Sequence, residues 1–553
     1  MRKTRMAGAM GTSLVAALAA GACYDFDGAR QRCSDEGRCE PNVAACTPVP
    51  GVDLPDDAFT DTDCDGVDGQ ADAGLFIDPV DGDDDAGTGT RQAPLRTVGR
   101  ALEMARALDG GPGHLFLAGG AYDEADLVLD VPVSLHGGYA GRGGGWRRSA
   151  DRLALLDAGT PGLTVRGLRD AGVVLEYVQV HAATATGPGE PSIAVRMVDS
   201  SGVRLRHVTL AAGRGGQGSA GLPGDTGLAG PAGGAGQDGG VENSNIGRGG
   251  QPGPITCPDG SEPLGGMGML GGAAGTTGRD GGAGGPDGAG GAGGAGGPSS
   301  GYTDCLDVGG MRECVCHPEP GSPGLTGADG GPGEAGPGGS GRGQVGGETW
   351  AADQSGEPGG AGTSGFGGGG GGSGGTCVDP ELSVASGGGS GAGGGGGCGG
   401  EGGQGGGGGG ASISLLLVGS QAAVEEGSVM RTLGGGAGGE GGAGGPGGAG
   451  GEGGASGVGG RVEATEGNTR YRTYGGWGGP GGPGGHGGPG GSGGGGGGGP
   501  SVGVWCGPNS GVVFTEGGVA FELGLGGPGG EGPGQLGAPG EQAPHIDCVS
   551  TPP

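Results

Sequence analysis

The sequence predicts an all-β chain built as a parallel β-helix, preceded by a capping α-helix and interrupted by glycine-rich insertions. Three observations predict it. One segment occurs three times, from Ser192, Ser412 and Ser501, each copy followed by glycine, with a weaker copy from Gly162. Within a copy the apolar residues alternate (Ile193, Val195, Met197; Val203, Leu205; Val208, Leu210), the period of strands rather than helices. Glycine supplies 169 of 553 residues and aromatics 3%, so apolar core is confined to islands. Three short strands per copy, bent at Asp199 to Gly202 and at Arg206-His207, bury an inner face only by stacking copy on copy. Leu163, Val173 and Val178 precede Ile193, Val203 and Val208 by thirty residues, which sets the expected register.

Residues 1–22 read as an export signal: Arg2, Lys3 and Arg5, an apolar run from Met6 to Ala20, then Ala20-Gly21-Ala22 before Cys23. This junction suits an ordinary signal peptidase and also resembles a bacterial lipobox, in which the cysteine is lipidated, although Ala20 stands where leucine is usual. Thirteen cysteines is an odd number, and lipid on Cys23 leaves twelve to pair in an oxidising compartment. Lipidation at Cys23 is therefore expected, with simple secretion as the alternative. Tyr24 in place of aspartate, by resemblance to enterobacterial sorting, implies the outer membrane or cell surface.

Residues 23–74 form a Cys- and Pro-rich tether without periodicity. Within it Asp61, Asp63, Asp65 and Asp68 surround Gly66 in an Asp-x-Asp-x-Asp-Gly run, similar to the start of oxygen-rich calcium loops. Alternating carboxylates across a glycine turn converge on one ion, so a structural calcium is expected, against a merely solvated acidic linker. Cys64, inside the run, is expected to pair with Cys46.

Residues 75–212 carry the first coils. Leu95, Val98, Ala101, Leu102, Ala105 and Leu108 make one helical stripe closed by Gly110-Gly111, and strands resume at "HLFLAGGAY". The run "FIDPVDGDDDAGT…APLRTVGRALEMA…LFLAGGAY" resembles the N-terminal module of secreted bacterial right-handed β-helix proteins, of the kind abundant in myxobacterial lipoproteins. The resemblance implies a right-handed β-helix whose open end is plugged by the Leu95 to Leu108 helix, and no assigned activity.

Coils at 411–433 and 501–523 alternate with glycine-rich stretches at 213–410, 434–500 and 524–553. Leu210, Leu433 and Leu523 each sit just before the glycines, so the stretches should leave one corner of successive coils side by side. In composition they resemble the glycine-rich repeats of mycobacterial PE-PGRS proteins, without the PE domain. Eight glycines recur at every third position from Gly218 to Gly239, seven from Gly321 to Gly339, and Gly-Gly-x runs from Gly475. A threefold extended helix puts every third residue on one edge, so such triplets leave edges bare for backbone contact, as in packed polyglycine II helices. Collagen needs strict triplets and more proline than 38 in 553. Disordered linkers remain the competing reading, since glycine is the residue most expensive to order. Cys257, Cys305, Cys314, Cys316, Cys377 and Cys398 favour the bundle, because unstructured spacers rarely need staples.

The formal charge of −32 argues against nucleic acid as a partner, since that binding needs clustered cations. Arg166, Arg196, Arg204, Arg206 and His207 are expected to point outward from adjacent coils as a basic stripe, either a site for an anionic glycan or a solvated face. Enzymes acting on pectins share the β-helix, but Glu176 is the one acid on an outward strand position of the first two coils and stacks on Arg206 as an ion pair. No Ser-His-Asp arrangement, phosphate loop or spaced zinc site appears, and Cys314-x-Cys316-His317 reads as disulfide before metal. The expectation is a non-enzymatic, exported, structural or adhesive surface lipoprotein, held to the membrane through lipid alone and in contact with surface glycan or protein. The alternatives are a glycan-, receptor- or ice-binding module, since polyglycine bundles resemble those of certain phage tail adhesins and insect antifreeze proteins, and, less favoured, a polysaccharide-active enzyme.

Overall fold

A computed structural model describes residues 46–107, 113–170, 172–241, 246–273, 278–279, 281–285, 289–377, 385–515 and 518–549. The expected export signal, Cys23 and Leu108 lie outside these residues. The chain divides into two compact units, at residues 1–72 and 73–553. No helix among the described residues is long and apolar enough to cross a membrane.

The second unit is a parallel β-helix. Its first sheet stacks β1 (Gly74–Ile77), β2 (His114–Ala118), β5 (Ser134–Tyr139), β8 (Val173–Glu176), β11 (Val203–Arg206), β18 (Gln421–Val424) and β23 (Gly511–Phe514) in that order. The second stacks β4 (Leu127–Leu129), β7 (Leu163–Arg166), β10 (Ser192–Val198), β17 (Ser412–Val418), β22 (Ser501–Cys506) and β25 (Gln542–Ile546). The third stacks β3 (Gly120–Asp123), β6 (Ala154–Ala158), β9 (Val178–Ala182), β12 (Thr209–Ala212), β19 (Ser428–Thr432) and β24 (Val519–Leu523). Each turn of chain visits the second, first and third sheets in sequence, so like residues stack. Leu115, Leu135, Leu175, Leu205 and Val424 align in register as an inner ladder, and all five are buried. Burying each such side chain stabilises the coil stack by about 1.5 to 3 kcal/mol. The helix α1 (Val98–Ala107) adds Val98, Ala101, Leu102 and Ala105 to the same core, as the apolar stripe requires. The Thr97 hydroxyl accepts from Arg100 N–H, and the Glu124 carboxylate accepts from the amides of Val98 and Gly99, so the orphan donors of its first turn are satisfied.

The alternation departs from expectation at one place. Leu163 pairs with Val195, not Ile193, although Val173 does pair with Val203 at the thirty-residue offset. Ala194 and Val195 both join the central core, while Ile193 turns outward into a second apolar cluster with Trp350, Ile413, Leu416, Val502, Trp505 and Ile546. The strand bends there, and two consecutive side chains face in. The equivalent positions in later coils are Ser414 and Gly503, small residues for a tight corner; a Cβ on Gly503 would lie 2.5 Å from the Phe521 ring. The outer cluster is covered by Trp350, which belongs to a hairpin of β15 (Gln344–Gly346) and β16 (Thr349–Ala351) inside the first insertion.

All three glycine-rich stretches leave between the third and second sheets, at one corner. They pack side by side, and their bonds recur every third residue. The amides of Gly218, Gly221, Gly224 and Gly227 donate to the carbonyls of Ala437, Glu440, Ala443 and Pro446, and the series runs on to Gly239 and Val458. Likewise Gly321, Gly324, Gly327 and Gly330 donate to Trp477, Pro480, Pro483 and His486. The nearly unbroken glycine run up to Gly410 lies at the centre of the bundle, bonding to segments around residues 216–237, 356–374, 436–457 and 476–497. Its residues from Ala385 to Gly397 are all buried. Glycine density tracks this placement: a segment surrounded by neighbours has glycine at nearly every position, whereas a peripheral one has it at every third residue.

Disulfides join Cys257 to Cys398, Cys305 to Cys314 and Cys316 to Cys377, so the six staples of the insertion pair among themselves. Cys506 pairs with Cys548, which ties β22 to the segment beyond β25. The 524–553 stretch thus contains a sixth strand of the second sheet, which its glycine content concealed.

Candidate functional site

In the first unit Cys46 is bonded to Cys64. Ligand atoms of Asp53, Asp61 and Asp63 lie within 4.8 Å of one another. Asp61 and Asp63 were expected there and Asp53 was not. Asp53 is buried, accepting from the Thr62 hydroxyl and the Gly69 amide. Asp65 accepts from the amides of Val67 and Ala71, and buried Asp68 from that of Asp56; neither shares the 4.8 Å grouping of Asp53, Asp61 and Asp63. Burial, and then the carboxylates of Asp65, Asp53 and Asp61, push the Asp63 pKa up against a hydrogen bond from the Asp65 amide. Mutual repulsion of this kind is what a bound cation relieves.

The five expected stripe residues do sit on adjacent coils, but three of their charges are matched. Arg166 grips Glu348 through two bonds of 2.8 and 2.7 Å, and Arg204 grips Glu425 at 2.7 and 3.0 Å. Arg206 donates through Nε to Glu176 at 3.0 Å, the expected cross-strand pair. Arg196 donates to the Thr164 hydroxyl, and burial together with the neighbouring Arg166 lowers its pKa. His207 stacks on Tyr177 at 4.8 Å. Three of the five stripe residues are thus paired cations, while Arg196 bonds a neutral hydroxyl and His207 stacks on a ring. Glu348 comes from 182 residues away in the first insertion, so no local reading supplies it.

Glu176 is fully buried, unlike a solvated surface acid. It accepts from His136 Nδ1 at 2.8 Å and from Arg148 as well as Arg206. Burial alone would raise its pKa. The hydrogen bond from His136, the Arg148 charge and the Arg206 bond outweigh burial and hold it well below the carboxylate range. Burial lowers the His136 pKa against the pull of Glu176, to which Nδ1–H donates, while Nε2 lies 2.9 Å from His114 Nδ1. His114 is lowered to about 4, by burial first and by His136 second. Arg148 also lies over the Tyr139 and Tyr177 rings. The network links β2, β5, β8 and β11 across successive coils through His114, His136, Glu176 and Arg206.

Two insertions also build a joint four-stranded sheet. Hairpin β13 (Asp304–Val308) and β14 (Met311–Cys316) turns at Gly309-Gly310, hairpin β20 (Arg461–Glu466) and β21 (Thr469–Tyr474) turns at Gly467-Asn468, and β14 pairs parallel with β21. Both hairpins were missed, although the alternation in "RVEATEGNTRYRTY" and the Gly-Gly turn are hairpin signals. One face carries Arg461, Glu463, Arg470 and Arg472; Glu463 accepts from Arg461 and Arg470 and is lowered to about 2 by those bonds, Arg470 first. Beside this sheet a cleft of about 540 Å³ is lined by His317, Pro318, Pro320, Arg461, Tyr474 and Trp477, among others. His317 stacks on Tyr474 at 4.3 Å, with the Arg461 guanidinium 5.5 Å from the same ring centre.

Residues 80–160, which span α1 and the first coils, match the family model "Protein of unknown function (DUF1565)". That family is typical of parallel β-helix proteins, in keeping with the stacked sheets. No curated protein and no solved structure matches the chain.

Proposed function

We propose that this is a non-enzymatic, exported surface lipoprotein in which the β-helix is a stand and the glycine-rich bundle, packed as polyglycine II helices, is the rigid element displayed for structural or adhesive contact. One observation carries the reading: the insertions are tied to one another by backbone bonds at every third residue and by three disulfides, so they are built to hold a surface rather than to span a distance. The cysteine arithmetic supports export and anchoring. Ten cysteines among the described residues are paired, and the three others, Cys23, Cys33 and Cys39, are odd in number, which fits removal of one of them, Cys23, by lipid. Carboxylates near the coils (Glu176, Glu348, Glu425) are committed to arginines, which argues against a free acid pair for glycoside hydrolysis. A calcium ion at Asp53, Asp61 and Asp63 stiffens the tether on this reading. Fractionation and N-terminal mass spectrometry test it: the chain is expected in the membrane fraction with diacylglycerol on Cys23, and to move to the soluble fraction as Cys23→Ala. An unmodified Cys23 thiol, or a cytoplasmic protein, refutes it.

A further inference from the structure

We infer that the cleft beside the joint sheet binds a neutral sugar ring of a glycan, with Trp477 as the platform; this rests on the displayed-surface reading and names its ligand. Of the four tryptophans, Trp146, Trp350 and Trp505 are at most 2% exposed, whereas Trp477 is 59% exposed, on a bundle helix next to the end of β21. An indole left in water costs hydrophobic free energy, which a ligand with an apolar face recovers. The wall around it adds planar donors, the Arg461 guanidinium and the His317 imidazole, beside the apolar Pro318, Pro320 and Val458, with glycine backbone at Gly459, Gly475 and Gly476 allowing close approach. One exposed aromatic platform flanked by hydrogen-bond donors matches a pyranose, which presents C–H groups on its face and hydroxyls at its rim. A proline-rich peptide calls for successive aromatic ridges, and Tyr474 is already engaged by His317 and Arg461. Arg461 is already bonded to Glu463, a carboxylate it shares with Arg470, so its guanidinium is engaged before any ligand arrives. The cleft volume of about 540 Å³ is in the range of small-ligand sites.

Because three tryptophans are buried, acrylamide quenching of the full-length protein reads Trp477 alone. Titration with neutral hexose and N-acetylhexosamine oligosaccharides is expected to protect Trp477 from quenching and blue-shift its emission. Trp477→Ala should weaken retention on the same immobilised sugars at least about tenfold, as for truncation of an aromatic anchor. Arg461→Ala should weaken it less, with the amide-exchange protection of the bundle unchanged in both variants. Protection by a polyproline peptide or by an acidic oligosaccharide in place of the neutral ones overturns the assignment, as does no protection by any sugar of the panel. These outcomes are distinguishable from failure of the displayed-bundle reading, which appears as fast amide exchange in the unmodified protein.

Discussion

Adjacent glycines 330 and 331 should respond to alanine unequally, only the first with a loss of stability. A Cβ on Gly330 would lie 2.0 Å from the Thr363 carbonyl oxygen and 2.7 Å from the Gly488 amide nitrogen, whereas one on Gly331 meets nothing nearer than the Thr363 hydroxyl at 3.6 Å. Relieving the first contact to ordinary separation moves two backbones apart by more than an ångström, and the bonds Gly330 N–H to His486 O and Gly488 N–H to Thr363 O, at 2.8 and 2.9 Å, do not survive that. Thr363 and His486 are exposed, so each lost bond costs about 0.5 to 1.5 kcal/mol, and Gly330→Ala should destabilise the bundle by about 1 to 3 kcal/mol. Gly331→Ala should be neutral, or stabilise by about 0.4 to 1 kcal/mol through the unfolded chain. Hydrogen exchange read by mass spectrometry on peptides covering 321–339, 356–374 and 476–497 measures both. Faster exchange in all three segments for Gly330→Ala alone is the expected result. Equal behaviour of the two variants, or random-coil exchange in the unmodified protein, would refute the packing argument.

Leu205→Ala should lower the chemical-denaturation stability of the β-helix by about 2 to 4 kcal/mol, as for a buried aliphatic whose site cannot collapse, while Arg204→Ala, which breaks a partly exposed pair, costs about 1 kcal/mol or less. His114 is held neutral by the fold, its pKa about 4 against an ordinary 6.5, so the stability it contributes is intact above 6.5 and erodes as pH falls toward 4; His114→Gln should flatten the fall in melting temperature over that window. Glu176 has the opposite sign of burden: its lowered pKa keeps its contribution intact down to about pH 4.5, below which it erodes, and Glu176→Gln should cost about 3 to 5 kcal/mol at neutral pH by leaving buried Arg148 uncompensated, a loss that thermal unfolding would detect. Calorimetry with calcium should show binding that Asp63→Asn and Asp53→Asn each weaken and Asp65→Asn spares, equal loss in all three being the result against the Asp53, Asp61 and Asp63 cluster.

Much of this architecture is local in origin and was legible for that reason. A period of two with a recurring block is enough for stacked coils, since one coil alone cannot bury its inner face, and DUF1565-like residues 80–160 fall where the first coils were read. Glycine spacing likewise marks which edges of a helix are bare, because only a missing Cβ lets backbones approach, and cysteines 46 and 64 were close enough in sequence to pair on paper. What the tertiary structure decided involves partners far apart in the chain. Ile193 faces outward because the strand bends at a small residue and Trp350, from an insertion, covers it. The arginine stripe is matched by Glu348 and Glu425, which lie 182 and 221 residues from the cations they neutralise. Asp53 enters the acidic cluster through loop closure, β14 meets β21 across two insertions, and Trp477 stands exposed on the glycine-rich segment that leaves the end of β21. Periodicity encodes which side of an element is apolar, but an ion pair or a cleft depends on which surfaces meet, and that is set when the insertions pack.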